Sequence, residues 1–317
     1  MRRTPLALAG TLLLAATTAC GGGGGPTEEG GLTQVTVGAI PIIDVAPIYL
    51  GQEQGFFEER GIELTIESTS GGAAAVPGVV SGNFQFAFGN VTSLIIGRQE
   101  NLPLKIVTNG VTSSGQDGAD FGAIVVPEGS DITSPEQLEG ATVAVNNLKN
   151  IGDTTVRNSV ELAGGDGSGI EFVELAFPDM PAALDNNQVD AAWVVEPHLT
   201  TALRNGATEI ASNFVDASPD LSVAAYFTSE QTIAENPELV DAFTEAMTES
   251  LEYADANPDE VRRILSTYTE IAPEVIEELR LPRFPAEVDR ASVQTVADLM
   301  VEHGTLDEAP DLDALYR

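Results

Sequence analysis

Val35-Thr36-Val37-Gly38-Ala39, a helical stretch at 47–60 and the alternating Ile62-Glu63-Leu64-Thr65-Ile66 read in order as strand, helix and strand. The rhythm continues outward. Ser70-Gly71-Gly72 opens an Ala/Val-rich helix that ends near Gly82, 84–88 reads as a strand, 91–99 as a helix and 104–109 as a strand. Strands alternating with helices across short turns predict an α/β layer structure with a parallel-rich sheet. The pattern then starts again. Strands are predicted at 121–126, 142–145, 172–175, 191–195, 208–211 and 223–228, with helices at 154–162, 180–186 and 197–203 between them. Beyond 228 the chain turns helical, with Leu239, Val240, Phe243, Met247, Leu251 and Ala254 on one apolar face and Val288, Val296, Leu299 and Met300 on another. Both stripes read as core.

No strong linker separates two consecutive domains. Two α/β blocks followed by a helical tail predict a nested arrangement in which the tail returns to the first block. On this reading residues 33–125 and 223–317 form lobe 1, and residues 126–222 form lobe 2. The chain is expected to cross between them near 124–128 and 223–228. Two crossings make a hinge, and the crevice beyond the carboxyl ends of the strands is where a ligand is expected.

The 317 residues are 43% hydrophobic and 20% charged, enough for a large packed core. Only 14 Lys plus Arg stand against 49 Asp plus Glu, giving a net charge of -35, and Lys105 and Lys149 are the only lysines. So acidic a surface repels phosphate backbones, which excludes nucleic acid as a partner. The scattered acids fit either a high-salt habitat or an acidic proteome without one.

The N-terminus carries its own signal. Arg2 and Arg3 precede an uncharged apolar run at 6–16, too short to span a bilayer comfortably, and small residues follow. This predicts an export signal over residues 1–19. The run closes on Thr17-Thr18-Ala19-Cys20, which resembles the bacterial lipobox, where the cysteine is lipidated; Thr17 departs from the usual leucine. An ordinary signal peptide with an incidental cysteine is the other reading. Cys20 is the sole cysteine, so no disulfide is available, and the glycine-rich residues 20–32 read as a flexible tether.

Several segments together carry a resemblance: Ala46-Pro47-Ile48-Tyr49-Leu50-Gly51, Glu53-Gln54-Gly55-Phe56-Phe57, Gly61-Ile62-Glu63-Leu64, Gly71-Gly72 and Ser81-Gly82-Asn83-Phe84-Gln85-Phe86. Further on come Leu138-Glu139-Gly140-Ala141-Thr142-Val143-Ala144-Val145, Ala183-Leu184 and Asp190-Ala191-Ala192-Trp193-Val194-Val195-Glu196-Pro197. In this order and spacing the chain resembles the substrate-binding proteins of ABC importers for nitrate, sulfonate and taurine, which share a fold with thiamine-pyrimidine-binding proteins. The resemblance implies a type II periplasmic-binding-protein fold that closes by hinge motion on a small polar solute. It also implies an ABC permease and its ATPase as partners, a monomer lipid-anchored outside the cytoplasm, no catalysis and no cofactor.

Five loops at strand ends are expected to face the crevice. The first holds Ile43 and Asp44, where Asp44 is either an acceptor for a ligand amine or amide or a helix cap. The second is Gly71 and Gly72, whose helix start lets a ligand approach free N–H groups or simply makes a tight turn. Asn90 with Ser93, and Asn109 on the next strand, offer neutral donors and acceptors or serve as turn residues. The fifth loop, Asn146 to Thr155, brings Asn147, Lys149, Gly152, Thr154 and Thr155, with Asp153 disfavouring a bare anion unless it caps the helix and Lys149 either offsetting it or facing solvent. Trp193 is an aromatic wall or a core residue, and Glu196 is a ligand contact, a lobe-closing bond or a surface acid. With Asp44, Asp153 and Glu196 near and few cations, the balance favours a zwitterion such as taurine, or an amine-bearing heterocycle such as an aminopyrimidine, over a simple anion. Alanine at Asn90 or Thr154 is expected to weaken binding.

Two rival classes remain. A thiamine-pyrimidine synthase shares the fold, but the resemblance would require an active-site histidine and a Cys-rich motif. The chain has one cysteine and two distant histidines, His198 and His303, and His198 reads as a surface or capping residue. A lipoprotein sensor that presents its ligand to a receptor is the other.

Overall fold

The computed structural model describes residues 31–317 and the backbone of a short strand at 28–29. The export signal, Cys20 and most of the tether fall outside the described residues. The chain opens with β1 (Glu28–Glu29), β2 (Leu32–Ala39), α1 (Ala46–Gln54), β3 (Ile62–Ser68), α2 (Gly72–Val80), β4 (Phe86–Asn90), α3 (Val91–Gln99) and β5 (Leu104–Thr112). Val35, Val37 and Ala39 alternate into the core along β2, as Ile62 and Leu64 do along β3. The helix expected over 47–60 ends early, at Gln54. Gly55 follows at φ +86, a left-handed conformation that stops a helix and that glycine adopts without a Cβ penalty.

The second block comprises β6 (Gly122–Val126), β7 (Thr142–Val145), α4 (Ile151–Leu162), β8 (Glu171–Glu174), α5 (Met180–Asp185), β9 (Ala191–Val195), α6 (His198–Arg204), β10 (Thr208–Ala211) and α7 (Asn213–Ala217). The chain returns through β11 (Ser222–Ser229) and ends in α8 (Glu230–Glu235), α9 (Pro237–Ala256), α10 (Pro258–Leu265), α11 (Pro273–Ile276) and α12 (Arg290–Glu302).

Each block builds its own mixed sheet. In the first, β3, β2 and β4 run parallel, and β11 inserts antiparallel between β4 and β5. In the second the order is β10-β6-β9-β7-β8, with β7 parallel to β8 and β9 and with β6 antiparallel to β9 and β10. β6, β9 and β11 are buried along their whole length, because both faces are covered. Over the first sheet, Phe86 stacks on Phe243 of α9 (centroids 3.7 Å apart, planes 5° apart), and Phe57 packs beside them.

The crossings differ from expectation. Residues 124–126 belong wholly to the second sheet, and β11 belongs wholly to the first. The chain instead passes between lobes in the irregular segments 113–121 and 218–221. The reason is hydrogen bonding. Strands on either side saturate their own sheets, and the hinge segments find distant partners: Ser113 N donates to Leu221 O of the other crossing (2.9 Å), and Gly118 N to Ser212 Oγ of lobe 2 (2.8 Å). Buried Asp120 accepts from Ser113 Oγ, Ser114 N and Phe121 N.

The tail does more than return to lobe 1. Arg280 Nη1 bonds Glu209 of β10 (2.6 Å) and its N–H donates to Glu196 (3.0 Å), while Arg283 Nε donates to Ser113 O (2.8 Å). The segment before α12 therefore straps the hinge from outside, and α12 itself touches α4 and α7 of lobe 2.

Candidate functional site

The carboxyl ends of the strands of both lobes face one another, and their loops enclose a crevice. Its innermost part is lined by Ile40, Ile42, Asp44, Gly71, Phe88 and Asn90 from lobe 1, by Asn146, Phe177, Trp193, Val195 and Phe214 from lobe 2, and by Val223 of β11. With the lobes as close as they are, this inner cavity has about 10 Å³, room for about one water molecule. A mouth of about 320 Å³ adjoins it, sharing Ile40, Ile42, Asn146 and Phe177 and adding Thr69, Ser70, Asn147, Glu174 and His198 among others.

Asp44 dominates the inner cavity electrostatically. It sits in a short 3-10 turn after β2, only 2% exposed, and caps no helix. Its Oδ1 has no hydrogen-bond partner. Burial raises its pKa from 3.8 to about 8; hydrogen bonding to its own backbone opposes this and the nearby Asp120 adds to it. At neutral pH the group is therefore a carboxylic acid, with one donor and one acceptor. The hydroxyl of buried Tyr226, close enough for Asp44 to act on its pKa, also lacks a partner.

The walls are aromatic. Trp193 and Val195 share a face of β9, as the two-residue period requires. Trp193 meets Phe177 and Phe214 edge-on, with centroids 5.3 and 5.7 Å away. Gly152 lies flat against the indole; a Cβ there would stand 2.5 Å from Trp193 Cε3. The buried indole Nε1 and Asn146 Oδ1 make no hydrogen bond. Among the described residues, neither cavity is lined by Lys or Arg.

The first turns of α3 and α4 meet across the crevice. Two helix N-termini together make an anion-attracting position. Here the Asn150 side chain occupies it. Its Oδ1 accepts from Thr92 Oγ1 (2.6 Å) and from Ile151 N (2.7 Å), and its Nδ2 donates to Ser93 Oγ (2.8 Å). Asp153 completes the cap by accepting from Asn150 N (2.6 Å) and Lys149 N (2.7 Å), so it is held away from the crevice. Burial pushes the Asp153 carboxyl up, against those two N–H donors.

Asp44, Gly71, Asn90 and Trp193 thus come together at the inner cavity, and Asn147 at the mouth. Ser93 and Gly152 stand one step behind, holding Asn150 and Trp193, and Gly72 packs on Gly89 in lobe 1. Ile43 joins the lobes by its backbone, its N–H donating to Glu196 O (3.2 Å). The remaining candidates lie elsewhere. Asn109 donates to Thr112 Oγ1 and Pro285 O and so ties β5 to the tail. Lys149 is exposed and lines no part of the crevice. Thr154 Oγ1 and Thr155 Oγ1 donate to carbonyls of their own helix, so alanine at Thr154 removes no crevice contact. Glu196 is fully buried and accepts from Thr200 N, Thr200 Oγ1 and Arg280 N, making it the lobe-closing bond rather than a surface acid.

Sequence reasoning placed Asn146 and Asn150 in the fifth loop without singling them out, and missed Phe177 and Phe214. The Asn150-x-x-Asp153 spacing is a capping-box signal that marks Asn150 as a helix start. Phe177 opens a single 3-10 turn and Phe214 sits in the five-residue α7, elements too short to show a periodic pattern. His198, read as a surface or capping residue, is instead buried beside Phe177.

Asn150→Ala removes both side-chain bonds between the helix N-termini. The ligand-free protein is expected to show a larger radius of gyration by small-angle X-ray scattering. Ligand affinity is expected to rise a few-fold, because the closed ligand-free state, with room for about one water, loses two of its ties. Asn150→Asp, which keeps the cap but loses the donor to Ser93, separates lobe closure from helix stability.

A family comparison joins this geometry. Residues 42–261 match the family described as NMT1/THI5 like, and the chain belongs to it. It is similar to the formylaminopyrimidine-binding protein of Halalkalibacterium halodurans, 24% identical over 69% of this chain and 65% of that protein. It is also similar to the riboflavin-binding protein RibY of Chloroflexus aurantiacus, 27% identical over 74% of this chain and 66% of that protein. The matched region thus spans just under two thirds of either relative. Among solved structures, the alkanesulfonate-binding protein SsuA of Xanthomonas axonopodis superposes with a TM-score of 0.75 at 16% identity, covering 90% of this chain and 98% of that one. The periplasmic nitrate-binding protein NrtA of Synechocystis gives 0.76 at 15% identity, covering 90% and 86%. The fold is the two-lobed periplasmic-binding-protein fold.

Proposed function

We propose that the protein is an extracytoplasmic solute-binding protein of an ABC importer, and that its solute is a flat nitrogen heterocycle with adjacent hydrogen-bond donor and acceptor atoms on one edge. The observation that carries this is the buried Asp44 carboxyl, with an unpartnered oxygen, in a cavity walled by Trp193, Phe177, Phe214 and Phe88 and free of cations. A carboxylic acid pairs through one donated and one accepted bond with an aminopyrimidine edge or with the imide edge of a flavin, while the aromatic side chains pack on the ring. The formylaminopyrimidine- and riboflavin-binding relatives support this class. A sulfonate or nitrate finds here no cation, and an asparagine carbonyl at the position where two helix N-termini converge.

The hinge supplies the mechanism. An inner cavity with room for about one water admits a ring only when the lobes part, and the lobes then close on the ring at a wider spacing than here, between Asp44 and the aromatic walls. The apolar leader and Cys20 support export and lipid anchoring of a carrier that hands its solute to a permease and its ATPase. Cys20→Ser is expected to move the protein from the membrane fraction to the soluble fraction; continued membrane attachment removes the anchor from the reading.

The test of the function is a thermal-shift and calorimetry panel of aminopyrimidines, flavins, taurine, alkanesulfonates and nitrate. A ligand at a hundredfold excess over its Kd adds about 2.7 kcal/mol of stability. Stabilisation by heterocycles and not by anions is the expected result. Stabilisation by nitrate or sulfonates alone overturns the ligand class, and turnover of any heterocycle overturns the carrier role.

A further inference from the structure

The crevice does not end at its mouth. A chamber of about 560 Å³ opens beyond it, lined by Pro41 and Tyr268–Ile271 from lobe 1 and by the faces of α5 and α6 from lobe 2. It shares Pro41, Pro178 and His198 with the mouth, so the two are continuous. We propose that this outer chamber is a second binding compartment, which holds a hydrogen-bond-donating, non-anionic side arm carried by the ring of the solute. This rests on the heterocycle reading above.

Three observations lead there. The first is His198, only 8% exposed, which lines both spaces while its ring forms no hydrogen bond to any described residue. Its ring lies 10° from parallel with Phe177, with centroids 6.3 Å apart, so one wall runs from the inner cavity to the outer chamber. Burial lowers its pKa to about 4, against the pull of Asp179, so the imidazole is neutral and offers one donor and one acceptor. The second is the polar lining. Asp185 and Glu270 flank the chamber, no Lys or Arg among the described residues lines it, and Asp185 already accepts from Asn205 Nδ2 (2.8 Å). Acceptors predominate, which suits hydroxyls or an ammonium and disfavours phosphate, carboxylate or sulfonate. The third is the way the chamber is built. Tyr268, on the tail, is fixed by stacking on Tyr49 (4.0 Å) and by donating to Ile42 O (3.1 Å), whereas α5 and α6 move with lobe 2. Hinge closure therefore grips a side arm as well as a ring.

The test compares three probes with one tricyclic ring: lumiflavin, which has a methyl group in place of the arm, riboflavin, with a hydroxylated arm, and flavin mononucleotide, with the same arm phosphorylated. Riboflavin is expected to bind at least tenfold more tightly than lumiflavin, and the mononucleotide to lose that gain. His198→Ala and Glu270→Lys are both run. His198→Ala is expected to erase the riboflavin advantage, so that riboflavin and lumiflavin bind this variant equally. Glu270→Lys, exposed and so neutral to folding, is expected to restore binding of the mononucleotide. Equal affinity for lumiflavin and riboflavin overturns the compartment, as does an advantage that survives His198→Ala. Binding of an aminopyrimidine ring with no flavin bound overturns the compartment and leaves the heterocycle reading standing. Failure of every ring to bind overturns the heterocycle reading itself.

Discussion

Asp44→Ala is expected to weaken binding of the heterocycle by about 2 to 3 kcal/mol, roughly a hundredfold, whereas Asp44→Asn is expected to stay within about tenfold of the parent. The contrast follows from protonation. With its pKa raised to about 8 by burial, Asp44 presents a hydroxyl and a carbonyl at neutral pH, and an asparagine amide presents the same donor and acceptor in nearly the same shape. Alanine leaves both edge atoms of the ring unmatched in a space without water. Isothermal calorimetry on the two variants decides it; an asparagine variant as weak as alanine means that the ionised carboxylate, paired with a cationic ligand, does the binding. The same group sets a stability trend with pH. The folded protein keeps a proton that the unfolded chain releases above about pH 4, so this contribution is full below 3.8 and is lost progressively as pH rises to about 8. Asp44→Asn is expected to remove that slope, so its advantage in Tm over the parent widens between pH 5 and pH 8. Affinity of the parent for a neutral ring is expected to be flat up to pH 7 and to fall above 8.

Trp193→Ala is expected to lower stability by about 3 to 5 kcal/mol. The indole is 2% exposed, pairs with Ile124 across β6 and β9, and fills the space over Gly152 between Phe177 and Phe214. Removing it leaves a void that the neighbouring strand ladder prevents from collapsing. Trp193→Phe keeps an aromatic wall and is expected to lose less than half as much, with affinity for the ring largely retained. Urea denaturation measures the first effect and calorimetry the second. Since Trp193 is the sole tryptophan, its fluorescence reports ring binding directly in the parent protein. A full-strength response in the parent with no loss of affinity in Trp193→Ala means the indole senses the ligand without holding it.

The alternation of strands and helices was legible because nearly every element carries its own period. β2 and β3 show the two-residue alternation, and α9 presents Val240, Phe243, Met247, Leu251 and Ala254 on one buried face. The hinge was not legible, because the crossing segments 113–121 and 218–221 are irregular and draw hydrogen bonds from residues far off in sequence, Leu221 for Ser113 and Ser212 for Gly118, which no local pattern announces. In the site, Asp44 could be singled out as the carboxylate in the loop after β2, and Trp193 as the sole tryptophan, on a strand that leads to the crevice. The fates of Thr154, Thr155 and Glu196 could not, because a hydroxyl or carboxylate beside a helix start has a helix carbonyl or N–H within reach as well as the crevice. Phe177, Phe214 and His198 reach the crevice only through tertiary packing.

The insertion of β11 between β4 and β5 dictates an order of assembly. All five strands of the second sheet come from the continuous stretch 122–211, so that lobe contains everything it needs as soon as it has been made. The first sheet lacks the strand that joins β5 to the rest until Ser222–Ser229 arrives, and until then β4 and β5 have no partner between them. A chain emerging N-terminus first is therefore expected to consolidate its later lobe before its earlier one, with the non-local closure of the first sheet as the slow step. In pulse-labelled hydrogen exchange during refolding, amides of β7 and β9 should become protected before those of β4 and β5; the reverse order would mean the leading segment folds around an unfilled gap.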